Sequence, residues 1–315
     1  MPNTTDTSRH SGAKYAQLLR GVSRHWQLYA LIALPIVYLI VFHYVPMYGV
    51  QIAFKDFRIR SGIAGSPWAG LKHFRQFFAS PSAVRVISNT LRISLYGVLA
   101  GFPFPVILAL FLNEARVGSF RRTVQMVTYA PYFISTVVLV GIVQRVLNPD
   151  FGVVNRAIGL FGFEPMNFLG MAELIPSIYV WSGVWQFAGF SAIIYLAALS
   201  GVNPELREAA IIDGASIVQR IRHVELPTIQ PTIVIILVLE FAQVMNLGFE
   251  KIFLLQNPLN LSTSEVISTY VYKVGLVSAD FSFGAAIGLF NSIVNLILIV
   301  SANALAKRLT GTSLW

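Results

Sequence analysis

The sequence contains no cysteine, which excludes disulfide frameworks, cysteine zinc sites, iron–sulfur centres and a cysteine nucleophile. Charge is scarce as well. Only 12% of the 315 residues are Asp, Glu, Lys or Arg, about half the share of an ordinary soluble domain. No Gly-x4-Gly-Lys-Ser/Thr loop is present to cradle a nucleotide phosphate, so the chain is not expected to hydrolyse ATP. There is no HExxH pair and the five histidines are dispersed, so neither a metal site nor catalysis is expected. The first 25 residues are polar and lack a short apolar core followed by a small-residue cleavage site, which makes them a tail and not a signal peptide.

What the sequence has instead is apolar length. Hydrophobic residues make up 55% of it and mean hydropathy is +0.66, a composition that leaves a soluble domain too little polar surface and points to a membrane protein. The net charge of +9 could suit nucleic acid, but the basic residues are scattered between apolar blocks. Anionic lipid headgroups are the expected counter-charge, and nucleic acid is not an expected partner.

About 20 apolar residues cross the hydrocarbon core, so uncharged runs locate the spans. Six emerge, at 26–54, 93–113, 123–144, 174–204, the block following Pro231 up to Glu250, and 281–306. The fifth is interrupted by Glu240. An acid in a span costs about 2.5–3.5 kcal/mol on insertion scales and turns toward the protein interior or an aqueous cavity. Pro35, Pro103, Pro105, Pro131 and Pro176 predict kinked helices. The expectation is an all-α integral membrane protein: a tail over 1–25, a six-helix domain over 26–315, and both termini on one side. Lys and Arg divide almost evenly between the two sides, so the positive-inside rule does not orient the chain.

The segment between the fourth and fifth spans is the most informative. Asn203 can cap a helix, Pro204 fits its first position, and Glu205 lies where the N-terminal partial charge favours an acid. Gly214 then permits a stop. A second short helix is expected from about Ser216 to Pro227, where the proline breaks the ladder and starts the next span. Within this stretch Glu208-Ala209-Ala210, three residues, Gly214, nine residues and Val224-Glu225-Leu226-Pro227 resemble the EAA loop of bacterial ATP-binding-cassette (ABC) import permeases, with Val224 where the family pattern has Ile. Residues 45–57 and 65–74 resemble the first external loop of sugar-type permeases, most of all the polysaccharide and oligosaccharide uptake branch. Phe249 with Leu254-Leu255-Gln256-Asn257 resembles the end of the fifth span in maltose-type permeases.

The resemblance implies a type I ABC importer fold in the bacterial inner membrane, with the 203–227 loop and both termini cytoplasmic. Glu208, Ala209, Ala210, Asp213, Gly214, Leu226 and Pro227 become the expected coupling residues: the small alanines allow close docking on an ATPase subunit, and Gly214 allows the sharp turn. The implied partners are a second homologous permease, two ATPase subunits that hold ATP and Mg, an extracytoplasmic solute-binding protein, membrane lipid and a saccharide. This chain itself is expected to carry no cofactor.

A sugar path needs hydrogen-bonding groups and flat apolar faces. Ser182, Gln186 and Phe190 recur every four residues with Phe187 and Ser191 beside them, and Gln243, Asn246 and Glu250 are spaced three and four apart, as on one helical face. In maltose-type permeases the sugar-contacting positions fall in the same parts of the corresponding helices, although the individual Asn residues are not preserved. The same polar groups would also serve to bridge helices, as would Asn291 and Asn295. A function in another class, an ion-gradient-driven secondary transporter, would show inverted repeats and several intramembrane acids, and the sequence has no evident repeat and one such acid.

Overall fold

The computed structural model describes residues 25–115 and 118–311. The polar lead-in expected over 1–25 lies, His25 apart, outside the described residues. Among those residues all regular structure is helical, with a single antiparallel bridge between Lys55 and Trp68.

The chain runs through α1 (Trp26–Phe54), α2 (Lys72–Ala79), α3 (Pro81–Glu114), α4 (Gly118–Phe133), α5 (Thr136–Val146), α6 (Val153–Gly159), α7 (Ala172–Leu199), α8 (Pro204–Ile212), α9 (Ile217–Phe241), α10 (Phe249–Leu255), α11 (Ile267–Val271) and α12 (Phe281–Arg308). Five of these, α1, α3, α7, α9 and α12, are long and apolar enough to cross a membrane, and the bent pair α4 and α5 makes a sixth. With the bent pair counted as one span, the described residues hold six candidate spans by length and composition, in the places where the sequence predicts six.

The kink expected at Pro131 is a full break, and two expectations about the fifth span are corrected. In the third span α4 and α5 meet at 105°, because Pro131 lies in a 3-10 turn, Ile134 is extended, and Ser135 caps a new helix by accepting from the Val138 amide at 3.4 Å. The helix that starts after Ser216 does not stop at Pro227 but continues unbroken to Phe241. A π turn over Ile221–Glu225 widens the ladder just ahead of the proline, which removes the clash with the preceding turn. The same device, a π turn at Ile40–Tyr44 two residues before Pro46, carries α1 past the second of its two prolines. Finally, α9 ends at Phe241, and Gln243 and Asn246 lie in the irregular segment before α10. They share no helix with Glu250, which sits in the first turn of α10.

Three buried clusters hold the bundle. One joins α2, α3, α11 and α12 around Phe77, Val86, Ile267 and Ile287. A second joins α3, α7 and α9 through Ala109, Ala192, Tyr195 and Ile229. The third links Ile93, Ile175, Val180 and Ile252. By contrast, the window of α1 that qualifies as a span has none of its residues buried; only the last turns of α1 pack on α12. A helix apolar on every face and bare of neighbours is suited to lipid or to another membrane subunit.

The segment following α1 forms an ordered cap. The Lys55 ammonium donates to the Ile63 carbonyl at 2.7 Å and lies 4.9 Å from the Trp68 ring centre, and the Ser282 hydroxyl at the start of α12 donates to the Lys55 carbonyl at 2.7 Å. Asp56 pairs with Lys72 at 2.9 Å. Arg85 and Lys273 both pair with Glu265, at 2.6 and 3.1 Å. Much of the positive charge in this region is thus used within the chain.

Candidate coupling helix and substrate cavity

The loop between α7 and α9 builds a short helix with both ends finished. The Asn203 side chain accepts the Glu205 amide at 2.9 Å, and Pro204 opens α8. At the other end, the Gly214 amide donates to the Ile211 carbonyl at 3.0 Å and the Ala215 amide to the Ala210 carbonyl at 2.9 Å. This is a Schellman motif, and it requires Gly214 at φ +77°, a conformation that costs a side-chain-bearing residue roughly 1 kcal/mol or more. Ser216 then starts α9 with a capping box: its hydroxyl accepts the Gln219 amide at 3.4 Å, and the Gln219 side chain accepts the Ser216 amide at 2.7 Å.

Glu208 and Ala209 are exposed, Ala210 is half-buried, and Leu206, Ile211, Ile212 and Val218 present large apolar side chains to the outside. Asp213 caps the C-terminus of α8. Leu226 and Pro227 lie in the continuous α9, with Leu226 packed on the α3, α7 and α9 cluster. The predicted residues thus divide between an exposed helix with its turn and the root of the membrane helix below.

Beneath α8 lies a charged knot that the sequence reading does not find. The Glu114 carboxylate at the end of α3 takes Arg207 from α8 at 2.5 Å on one oxygen and Arg220 from α9 at 2.7 Å on the other. Arg220 also donates to the Ala215 carbonyl at 3.1 Å. Glu225, 1% exposed, accepts from Asn113 at 3.0 Å and lies 4.0 Å from Arg207. Two carboxylates and two guanidinium groups therefore fasten the root of α8 to α3 and α9. The available signal was charge: Arg207, Arg220 and Glu225 all border apolar blocks, where an unpaired ion is costly.

Farther along the bundle, α3, α7 and the end of α9 enclose a cavity of about 580 Å³. On α7 it is lined by Tyr179, Gly183, Phe187, Ser191 and Tyr195, a strict four-residue repeat. This stripe is offset by one position from the Ser182, Gln186 and Phe190 repeat, about 100° around the helix. Those three are engaged elsewhere. Ser182 donates back to the Ile178 carbonyl at 2.5 Å, buried Gln186 donates to the Ile134 carbonyl at 2.9 Å in the break between α4 and α5, and Phe190 stacks on Tyr132 at 3.8 Å. Of the remaining predicted residues, Phe187, Gln243 and Asn246 line the cavity, with Glu240, whereas Glu250 is not among its lining residues. Asn295 accepts the Met245 amide at 3.1 Å and Asn291 donates to Asn246 at 3.2 Å, so α12 positions the segment that carries Asn246. Ser191, which the sequence reading placed beside the stripe, lines the cavity, whereas Tyr179 and Lys251 were missed; the Tyr-Gly-Phe-Ser-Tyr spacing was the signal for the stripe.

Comparison with known proteins accounts for this architecture. A family model described as "Binding-protein-dependent transport system inner membrane component" matches residues 101–311. The chain is 41% identical over 295 residues, 94% of its own length and 92% of the relative's, to the polygalacturonan/rhamnogalacturonan transport system permease protein YteP of Bacillus subtilis. It also resembles, with TM-score 0.87 and 40% identity over 93% of this chain and 99% of the other, a chain from the crystal structure of a bacterial ABC transporter involved in the import of the acidic polysaccharide alginate. A second such structure, the alginate transporter in complex with alginate pentasaccharide-bound periplasmic protein, gives TM-score 0.88 at 39% identity, covering 95% of this chain and all of that one. The ion-gradient-driven reading finds no support in these likenesses. With its helices, its EAA-like loop and these relatives in agreement, the chain belongs to the family of binding-protein-dependent transport inner membrane components, the membrane-embedded permeases of ABC importers.

Proposed function

We propose that this permease carries an oligosaccharide or polysaccharide fragment across the bacterial inner membrane by alternating access, paired with a second homologous permease. In this reading residues 26–315 form the transmembrane domain and 1–25 a cytoplasmic tail. Energy comes from two separate ATPase subunits that hold ATP and Mg, and the sugar is delivered by an extracytoplasmic binding protein. The loop 203–227 and both termini face the cytoplasm.

The observation that carries the proposal is α8: an end-capped helix outside the membrane bundle, with exposed apolar side chains, whose root is held by ion pairs to α3 and α9. A push on its outer face is passed to two membrane helices through Arg207 and Arg220. The saccharide assignment is supported by the saccharides that YteP and the alginate transporters carry and by a cavity that pairs an aromatic face, Phe187 and Tyr179, with Gln243, Asn246 and Ser191.

The test is gentle extraction of the tagged chain from its native membrane, followed by mass spectrometry of what copurifies. Recovery of an ATPase and a second permease is expected. A chain that comes out alone, under extraction shown to preserve known complexes, would overturn the coupled-importer reading.

A further inference from the structure

The cavity contains a buried basic side chain with no acidic group in contact with it. Lys251, in α10, is 7% exposed and lines the cavity. Its ammonium donates to the Tyr179 carbonyl at 2.8 Å and lies 4.7 Å from the Tyr179 ring centre. Among the described residues no carboxylate comes within 4.0 Å of it; of the other Lys and Arg residues buried to this degree, Lys55 is tied to the cap after α1 and Arg220 is paired with Glu114. Glu240 is the acidic side chain on the same cavity wall, and it forms no ion pair with Lys251.

The site is shaped around the ammonium. A methyl group added at Gly183 would stand 3.1 Å from the Lys251 nitrogen, so the absence of a side chain there leaves the room. The Tyr179 hydroxyl is held in turn by the Gly248 amide at 3.1 Å. An ammonium has three donors, and a buried cation without a counter-ion is strongly disfavoured unless something else balances it. Glu240 is out of contact with the ammonium and the cavity's remaining polar side chains are amides and hydroxyls, so a carboxylate on the transported molecule is the group that can supply a direct counter-charge.

We propose that Lys251 is a charge-selecting contact in the translocation cavity, matched to a carboxylate of an acidic, uronate-type saccharide. The inference rests on the saccharide reading above and narrows it: the ring lies against Phe187, hydroxyls meet Gln243 and Asn246, and the carboxylate meets the ammonium that Gly183 and Tyr179 hold. A neutral sugar of the same size leaves Lys251 without its counter-charge.

The test uses the complete importer, with its ATPases and binding protein, in proteoliposomes. The probes are mannuronate, guluronate and galacturonate tetrasaccharides and their carboxyl-reduced neutral forms, each at a concentration that saturates the binding protein. Wild type is expected to take up at least one acidic probe tenfold or more faster than its neutral form. Lys251→Gln is expected to lower that acidic uptake at least tenfold, and Lys251→Arg to keep it within threefold of wild type. Equal uptake of acidic and neutral probes by wild type overturns the proposal even if the Gln variant does not assemble. Wild-type uptake in Lys251→Gln, or a loss in Lys251→Arg as large as in Lys251→Gln, overturns it too. Failure of the wild type to take up any saccharide, acidic or neutral, sinks the importer reading itself and this inference with it.

Discussion

Removing the Glu114 carboxylate leaves Arg207 and Arg220 facing each other with no shared anion, because each has one of its oxygens. Glu114→Gln is therefore expected to cost about 1–3 kcal/mol of local stability at the root of α8, less than for a fully buried pair because Arg207 is one-third exposed. Transport should suffer more than assembly. The measurement is the number of ATP molecules consumed per sugar imported, together with hydrogen exchange over 203–226; a Gln variant with wild-type coupling and protection would refute the role given to the knot. At the cap after α1 the relevant acid is Asp56, whose pKa is held below its ordinary 3.8 mainly by the hydrogen bond from Lys72, with further help from its charge and from His73. A lowered folded-state pKa means that the pair's contribution is fully present above pH 3.8 and is lost as pH falls through the lower folded value. Proteolysis within 55–74 is thus expected to be constant from neutral pH down to about pH 4 and to rise only below it. Asp56→Asn should remove that acid-dependent step.

Among the elements, α7 shows how a one-residue offset separates structural from cavity-facing groups. Gln186 reaches the Ile134 carbonyl freed by the 105° break between α4 and α5, so Gln186→Ala strands a part-buried acceptor and is expected to cost about 1 kcal/mol, read as a lower melting temperature of the purified complex. Phe187→Ala should instead leave that temperature within a few degrees and change sugar uptake; the opposite assignment of effects would refute this division of the helix. At α8 the backbone decides. Gly214→Pro fixes φ near −65° where the turn needs +77° and removes the amide that donates to Ile211, so insertion should survive while uptake separates from ATP hydrolysis. Normal uptake would count against the coupling role. The number of spans and the ends of α8 were legible because uncharged length, caps and glycine are local signals. The break in the third span and the π turn ahead of Pro227 were not, because a proline announces a disturbance without saying whether the helix bends, widens or ends. The Gln243, Asn246 and Glu250 spacing misled for the same reason: α9 stops at Phe241, and periodicity has no meaning across a helix end.

For the whole molecule, the absence of cysteine makes side-specific labelling a direct test of alternating access, since every introduced thiol reports on its own position. Ala209 lies on the exposed face of α8, Phe187 lines the cavity, and Arg58 is exposed within the cap after α1. With α8 cytoplasmic, a membrane-impermeant maleimide should modify Ala209→Cys only from the cytoplasmic side and Arg58→Cys only from the opposite side, whatever the nucleotide state. Phe187→Cys should differ. A cavity served by a moving bundle opens to one side at a time, so its thiol should react from one face without ATP and from the other, with the first rate reduced at least tenfold, when the ATPases are trapped with vanadate. The break between α4 and α5 and the π turns in α1 and α9 are where the helices are expected to absorb such a change, and the ion pairs at Glu114 tie α8 to α3 and α9. Reactivity of Phe187→Cys from one side only, unchanged by trapping in a complex that still imports sugar, would refute alternating access through this cavity and require a path elsewhere between the two permeases.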